Sequence, residues 1–167
     1  DPALFDILSH GYDRFGRMWQ GGSEFLPFKP DPFRSVIGMN SRAISDSLSA
    51  LICHGVFDRH PRVRVASIEN GSKWMFPLLD SFEHVYGQMP KEFSRPPIET
   101  LRQHIFVAPF YEEPVRELAD KIGVSQVLFG SDYPHPEGLA NPLDYLPELS
   151  GFSAQDTQRI MSGNLKG

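Results

Sequence analysis

The feature that most constrains this chain is a repeated change of hydrophobic period. Short apolar runs rich in β-branched or aromatic residues alternate with longer stretches in which apolar residues recur every three or four positions. A period near 2 giving way to one near 3.6, again and again, is the pattern of βα units around a parallel sheet. The strands expected on this basis are Ala3 to Leu8, Arg62 to Glu69, Ile105 to Phe110 and Val127 to Ser131. Between Ser41 and Phe57, residues Ile44, Leu48, Leu51, Ile52 and Gly55 share one helical face, and Arg59-His60-Pro61 supplies a stop. Trp74, Leu78, Phe82 and Val85 mark a second helix, with Pro77 tolerable near its first turn. Pro114 stands where a third would begin, Val115, Leu118, Ala119 and Ile122 form its apolar face, and Gly123 ends it. Leu143 to Leu149 and Ala154 to Met161 read as short terminal helices, and Gly21 to Gly38 as a long loop dense in Phe.

Four strands, each followed by at least one helix, predict an α/β fold: about the last four βα units of a (β/α)-barrel of the TIM type. A closed eight-stranded barrel needs about 200 residues at the least, and this chain has 167. Residues 1–167 are therefore expected to form a single partial domain. The chain opens on Asp1 without Met and passes at once into Ala3-Leu4-Phe5, which reads as the interior of a longer reading frame. An open doubly wound sheet is the competing architecture. Its nucleotide-binding form needs a Gly-rich turn after the first strand, and Leu8-Ser9-His10-Gly11 does not supply one. Half a barrel exposes strand edges and an inner face, so association into a homo-oligomer is expected.

Composition narrows the partners. The net charge of -5 is spread along the chain, and no basic stripe is interleaved with aromatics, which argues against nucleic acid. No apolar run approaches the roughly 18 residues needed to span a bilayer, so no membrane is expected. Cys53 is the only cysteine, which excludes an internal disulfide and accords with a cytoplasmic location. A small-molecule substrate is the remaining expectation.

In barrel enzymes the active site gathers at strand carboxyl ends, so polar groups there carry the information. Alternation along Val63, Val65, Ser67 and Glu69 puts Glu69 on a common face with two apolar residues; Leu128, Gly130 and Asp132 share a face in the last strand, and Leu4 and Asp6 in the first. A carboxylate turned into a barrel mouth loses hydration and stays charged only beside a cation, a metal or several donors. Each of the three also suits a helix cap. That bland role is favoured for Asp6 and balanced for Glu69. For Asp132, Pro134 and Pro136 deny an immediate helix to cap, which favours a functional role.

The run Gly130-Ser131-Asp132-Tyr133-Pro134-His135-Pro136-Glu137-Gly138, after Val127-Leu128-Phe129, resembles the last barrel strand of the amidohydrolase-related family, which holds metal-dependent hydrolases and non-oxidative decarboxylases of aromatic and related acids. Gly55-Val56-Phe57-Asp58-Arg59-His60-Pro61 and Glu69-Asn70-Gly71-Ser72 are similar to its sixth-strand region. The resemblance implies a metal ligand and acid or base at Asp132. It places the sixth-strand ligand position on Glu69 and the fifth-strand one on Asp6, where the family's best-characterised decarboxylases have histidines; the His-x-His of the first barrel strand has no counterpart in this chain. Asp132, Glu69 and Asp6 are thus the expected ligands of a divalent ion, Zn, Mn or Mg, and carboxylate-rich sites lean towards the harder ions.

Among the histidines, His135 lies just beyond the strand end and is the second candidate catalytic residue, as a substrate contact or proton relay. His10 is close enough to replace a lost ligand, His54 and His60 read as structural, and His84 and His104 carry no signal. Trp19, Phe25, Phe28 and Phe33 either line an apolar pocket or anchor their loop. The expected function is a metal-dependent hydrolase of a small organic acid, ester or amide; the alternatives are a non-oxidative decarboxylase and a truncated, non-catalytic barrel remnant.

Overall fold

The computed structural model describes residues 42–132 and 138–166. The expected strand Ala3 to Leu8, with Asp6, and the loop through Trp19 and Phe33 lie outside the described residues, as does His135. In chain order the described elements are α1 (Arg42–Cys53), α2 (Val56–Arg59), β1 (Val65–Ser67), α3 (Met75–Gln88), α4 (Pro97–His104), β2 (Ile105–Val107), α5 (Val115–Ile122) and α6 (Ala154–Met161). Short 3-10 helices cover Pro90–Glu92, Val124–Gln126, Pro142–Leu149 and Gly163–Leu165.

β1 and β2 pair in parallel, with Val65 opposite Ile105 and Ser67 opposite Val107. A third segment joins on the other side of β2: Val127 forms a parallel bridge with Val107, and the Leu128 N–H donates to the Val107 carbonyl at 2.8 Å. All the described pairing is parallel and each link between paired segments passes through helix, so the expected βα organisation holds for these units.

The helices cover one face of this sheet. Ile105, Val107 and Val127 are fully buried and belong to one core with Met75, Leu78, Leu101, Leu118 and Ile122. Burying each large aliphatic side chain contributes roughly 1.5–3 kcal/mol. α5 follows its sequence pattern closely: Val115, Leu118, Ala119 and Ile122 are its buried residues, and Gly123 caps its end. On the opposite sheet face, set by alternation, Ala66 is exposed, Ile68 is 52% exposed and Phe106 is half-buried, whereas Ala108 and Leu128 are buried.

The departures from expectation have local causes. The single helix expected from Ser41 to Phe57 divides, because Gly55 adopts φ 63 and ends α1 one turn early. Strands expected to run five to eight residues are three long or shorter. β1 stops at Ser67, with Glu69 at φ 58 two residues on, and β2 meets Pro109, which has no N–H to donate. The third segment is a bridge rather than a strand because the next donor due to it from β2 is Pro109, which has no N–H, while the Phe129 N–H, on its other side, goes to the Ile160 carbonyl at the end of α6. Pro142–Leu149 is 3-10 rather than α, with Pro147 inside it unable to supply an α-type hydrogen bond. α4 was not expected: it is only eight residues long and runs straight into β2, Ile105 serving as both cap and first strand residue.

Gly123 sits at φ 97, with Gln126 Oε1 3.2 Å from where a Cβ would stand, whereas Gly87 in α3 has open space around the same position. Gly123→Ala should therefore destabilise the complete gene product by about 1–3 kcal/mol, and Gly87→Ala should stabilise it by about 0.5–1 kcal/mol. Urea unfolding midpoints of the two variants against the parent check both signs.

Candidate active site

The carboxyl ends of β1, β2 and the Val127 segment point the same way, and the turns beyond them form one neighbourhood. After Ser67 the chain passes through Ile68 and reaches Glu69 at φ 58, a left-handed conformation that costs a residue with a Cβ about 1–2 kcal/mol. Asn70 Nδ2 donates to the Ile68 carbonyl at 2.7 Å, and Gly71 follows at φ 61. Only glycine fits there, because a Cβ would stand 2.8 Å from both the Phe110 ring and Glu113 Oε1. The Trp74 indole N–H donates to the Gly71 carbonyl at 2.8 Å, and the Met75 N–H to Ser72 O at 2.9 Å, which launches α3.

Glu113 holds this turn to the turn after β2. It is buried, and its Oε2 accepts from the Ser72 N–H at 2.6 Å, the Ser72 hydroxyl at 2.8 Å and the Phe110 N–H at 3.1 Å. Its own N–H donates to the Phe110 carbonyl at 3.1 Å. Three donors on one carboxylate oxygen compensate the hydration lost on burial. Glu113 was not among the sequence candidates, since an acidic residue before a helix-starting proline looks like an ordinary exposed N-terminal acid.

Asp132 lies at the end of the third segment, half-buried and at φ 55. The Leu139 N–H donates to the Ser131 carbonyl at 2.8 Å, closing the chain beyond Asp132 back onto its start. Asn164 Nδ2 donates to the carbonyls of Val124 and Val127 at 2.8 and 2.7 Å, tying the end of the chain to the base of this segment.

The expected ligands meet unequally. The alternation argument for Glu69 does not hold, because Val65 and Ser67 face the helix-packed core and the left-handed turn at Glu69 breaks the count; its side chain is exposed. Leu128 and Gly130 do lie on the face away from the helices, with Gly130 against Ala108, but the φ of Asp132, not alternation, sets that residue's direction. β2 lies between the strands that carry Glu69 and Asp132, which sets those two strands about 10 Å apart. Among the described residues no three His, Cys, Asp or Glu side chains come together as a metal site. The described residues by themselves do not fit a metal ion.

His104, unremarked in the sequence, is buried, stacks on Phe57 at 4.5 Å, and places Nδ1 2.8 Å from the Val63 carbonyl and 3.2 Å from Arg64 Nη1. It lies at the end of α4, where β2 begins, away from the strand carboxyl ends, so its role is structural. A cleft of about 200 Å³ between α3, α4 and α5, lined by Phe76, Asp80, Glu83, Ile98 and Lys121, also lies on the helical side of the sheet.

Two buried hydroxyls, Ser67 Oγ and Tyr145 Oη, have no hydrogen-bond partner among the described residues. Tyr145 packs edge-on against Phe129 with ring centroids 5.2 Å apart. Burial foremost, with the charges of Glu148 and Glu113 adding to it, pushes its phenol well above the usual tyrosine range.

Beyond this geometry, the family model described as Amidohydrolase matches residues 37–164. The chain belongs to the amidohydrolase family. It is 24% identical over 176 residues to the 2-amino-3-carboxymuconate-6-semialdehyde decarboxylase of Dictyostelium discoideum, covering 98% of this chain and 47% of that protein. It also superposes on the crystal structure of an amidohydrolase from Mycobacterium avium subsp. paratuberculosis K-10 with a TM-score of 0.77 and 41% identity, covering 93% of this chain and 39% of that one. The chain thus spans less than half the length of these relatives. The likeness implies a TIM-barrel-like fold, of which the parallel βα units described above are a part. No helix among the described residues is long and apolar enough to cross a membrane.

Two outcomes follow from the buried groups. Glu113→Ala strands the Ser72 and Phe110 donors and should destabilise the complete gene product by about 1–3 kcal/mol, and Glu113→Gln by less, as read from urea unfolding. For Tyr145, an unfolded phenol titrates near pH 10. Below that pH both states hold the proton; above it the unfolded chain releases a proton that the folded chain keeps. Stability is therefore lost as pH rises from about 10 towards the raised folded value, at about 1.4 kcal/mol per pH unit. Tyr145→Phe should show a decline with pH shallower by that one-proton slope between about pH 10 and 11.5, and an unchanged slope would contradict the raised phenol.

Proposed function

We propose that this chain supplies the last four βα units of a barrel enzyme, counting Ala3 to Leu8 as the first strand, and that the complete protein hydrolyses a small organic acid, ester or amide. The observation that carries the reading is the placement of Asp132. It stands at the carboxyl end of a parallel strand segment, where barrel enzymes gather their chemistry, in a left-handed conformation that ordinary folding does not require. In hydrolysis its carboxylate takes the proton of the attacking water as the new C–O bond forms, and returns it to the leaving alcohol or amine as the old bond breaks.

Non-oxidative decarboxylation is the second reading, favoured by the decarboxylase relative. There the protonated Asp132 delivers its proton to the carbon that loses carbon dioxide, so one C–H bond replaces one C–C bond. His135 is the proposed substrate contact or proton relay in either case. A divalent ion, Zn, Mn or Mg, is expected from the family, with Asp132, Glu69 and Asp6 as its proposed ligands; its shell needs groups beyond the described residues. When bound, such an ion supplies a more acidic water and polarises a substrate oxygen. A cytoplasmic homo-oligomer acting on a small molecule, with no nucleic-acid or membrane partner, completes the proposal.

The test is Asp132→Asn in the complete gene product, which keeps the side-chain shape and a left-handed tolerance but removes the proton acceptor. Turnover of p-nitrophenyl acetate, and of 4-hydroxybenzoate to phenol and carbon dioxide, separates the two readings. Loss of acid–base help alone should lower the active reaction by about 100- to 10,000-fold with the thermal midpoint retained. Parental turnover in the variant would reduce Asp132 to a structural residue, and a parent inert towards a wide panel of esters, amides and acids would favour the non-catalytic remnant.

A further inference from the structure

We propose that Gly138 is the positioning residue for Asp132, acting through a closed neck of backbone; this rests on the reading of Asp132 as the reacting carboxylate. Both peptide units that flank Asp132 are bounded by the 138–139 backbone. The preceding unit is held through the Ser131 carbonyl, which accepts from the Leu139 N–H at 2.8 Å. The following unit is backed by Gly138: a Cβ there would collide with the Asp132 carbonyl oxygen, stand 2.6 Å from the carbonyl carbon and lie 2.9 Å from Ser131 O. The hydrogen bond on one side and the close approach on the other together restrict φ and ψ of Asp132, and with them the direction of its Cα–Cβ bond.

Steric exclusion demands glycine at 138. The obstruction at Gly138 is backbone, whereas at Gly55, Gly71 and Gly123 a positive φ is recorded as well. A left-handed state falls on Asp132, at φ 55, a conformation that aspartate tolerates better than most residues but does not seek. The neck supplies what holds it there. Any side chain at 138 must push the Asp132 carbonyl away, rotate the peptide plane and swing the carboxylate off its line. Because backbone oxygens and not flexible side-chain ends are the obstruction, local adjustment does not relieve it.

The experiment uses the complete gene product as parent, Gly138→Ala, Asp132→Asn, the double variant, and Gly87→Ala as a helix control outside the site. Site-resolved amide exchange reads the neck, and turnover of p-nitrophenyl acetate and 4-hydroxybenzoate reads the positioning. In the parent the Leu139 amide should be protected; in Gly138→Ala its exchange should rise at least about tenfold, as loss of one hydrogen bond implies. Turnover should fall roughly 100-fold, the effect of a displacement on the order of 1 Å. In the Asp132→Asn background, Gly138→Ala should cost nothing further, since it acts only through that carboxylate.

An equal fold-loss in both backgrounds would show that Gly138 acts independently of Asp132 and would overturn the proposal. So would an unprotected Leu139 amide in the parent, a result that does not depend on whether Gly138→Ala folds. Full activity of Asp132→Asn would instead remove the functional reading while leaving the exchange result to decide the neck.

Discussion

The buried Glu113 carboxylate is the interaction on which the upper face of this sheet depends. One oxygen gathers the Ser72 amide, the Ser72 hydroxyl and the Phe110 amide, and so joins the turns after two neighbouring parallel strands. Neither turn has enough ladder hydrogen bonding to define itself, since β1 and β2 pair over only three residues each. Without the carboxylate two backbone donors would lie at the rim of the core with no partner, a cost of about 1–3 kcal/mol in all. The close approach it enforces also dictates glycine at 71. Water cannot replace the clamp cheaply, because the enclosed Ser72 has no exposed surface.

The same logic of backbone held by few, well-placed acceptors recurs at the third strand end. There the Ser131 carbonyl and the Leu139 amide make the closure, and Gly138 makes the close approach. Both acidic residues at strand ends, Glu69 and Asp132, sit at positive φ beside these closures. Strain collected next to rigid supports, on the face where parallel α/β proteins place their chemistry, is the physical common ground of the functional proposal. The helix-packed face shows nothing comparable: its core is apolar, and its cleft lies between helices whose charged groups are exposed.

Much of this fold could be read from residue spacing, and the reasons for the misses are specific. α5 matched residue for residue because four apolar positions, a preceding proline and a following glycine all speak for the same helix. The strands were legible in place but not in length, since what shortens them is not hydrophobicity. Proline at 109 and a left-handed residue at 69 end the described ladders, and the Phe129 amide on the far side of the third segment is taken by a carbonyl from α6, a tertiary contact no local pattern records. Asp132 was singled out because its motif is local. Glu113 was not, because its partners Ser72 and Phe110 come from two different turns, one of them 41 residues away. The inward direction read for Glu69 failed for a related reason: alternation counts only while the chain remains extended.

Site-resolved amide exchange on the complete gene product tests the central claim, that one buried carboxylate organises the strand-end turns. The Ser72 and Phe110 amides are predicted to be protected to a similar degree in the parent, comparable with the Leu128 amide that pairs in the sheet, and to lose that protection together in Glu113→Ala while Leu128 keeps it. Ser72 and Phe110 amides that exchange in the parent at the rate of an open loop, or that respond to the substitution independently of one another, would contradict the account.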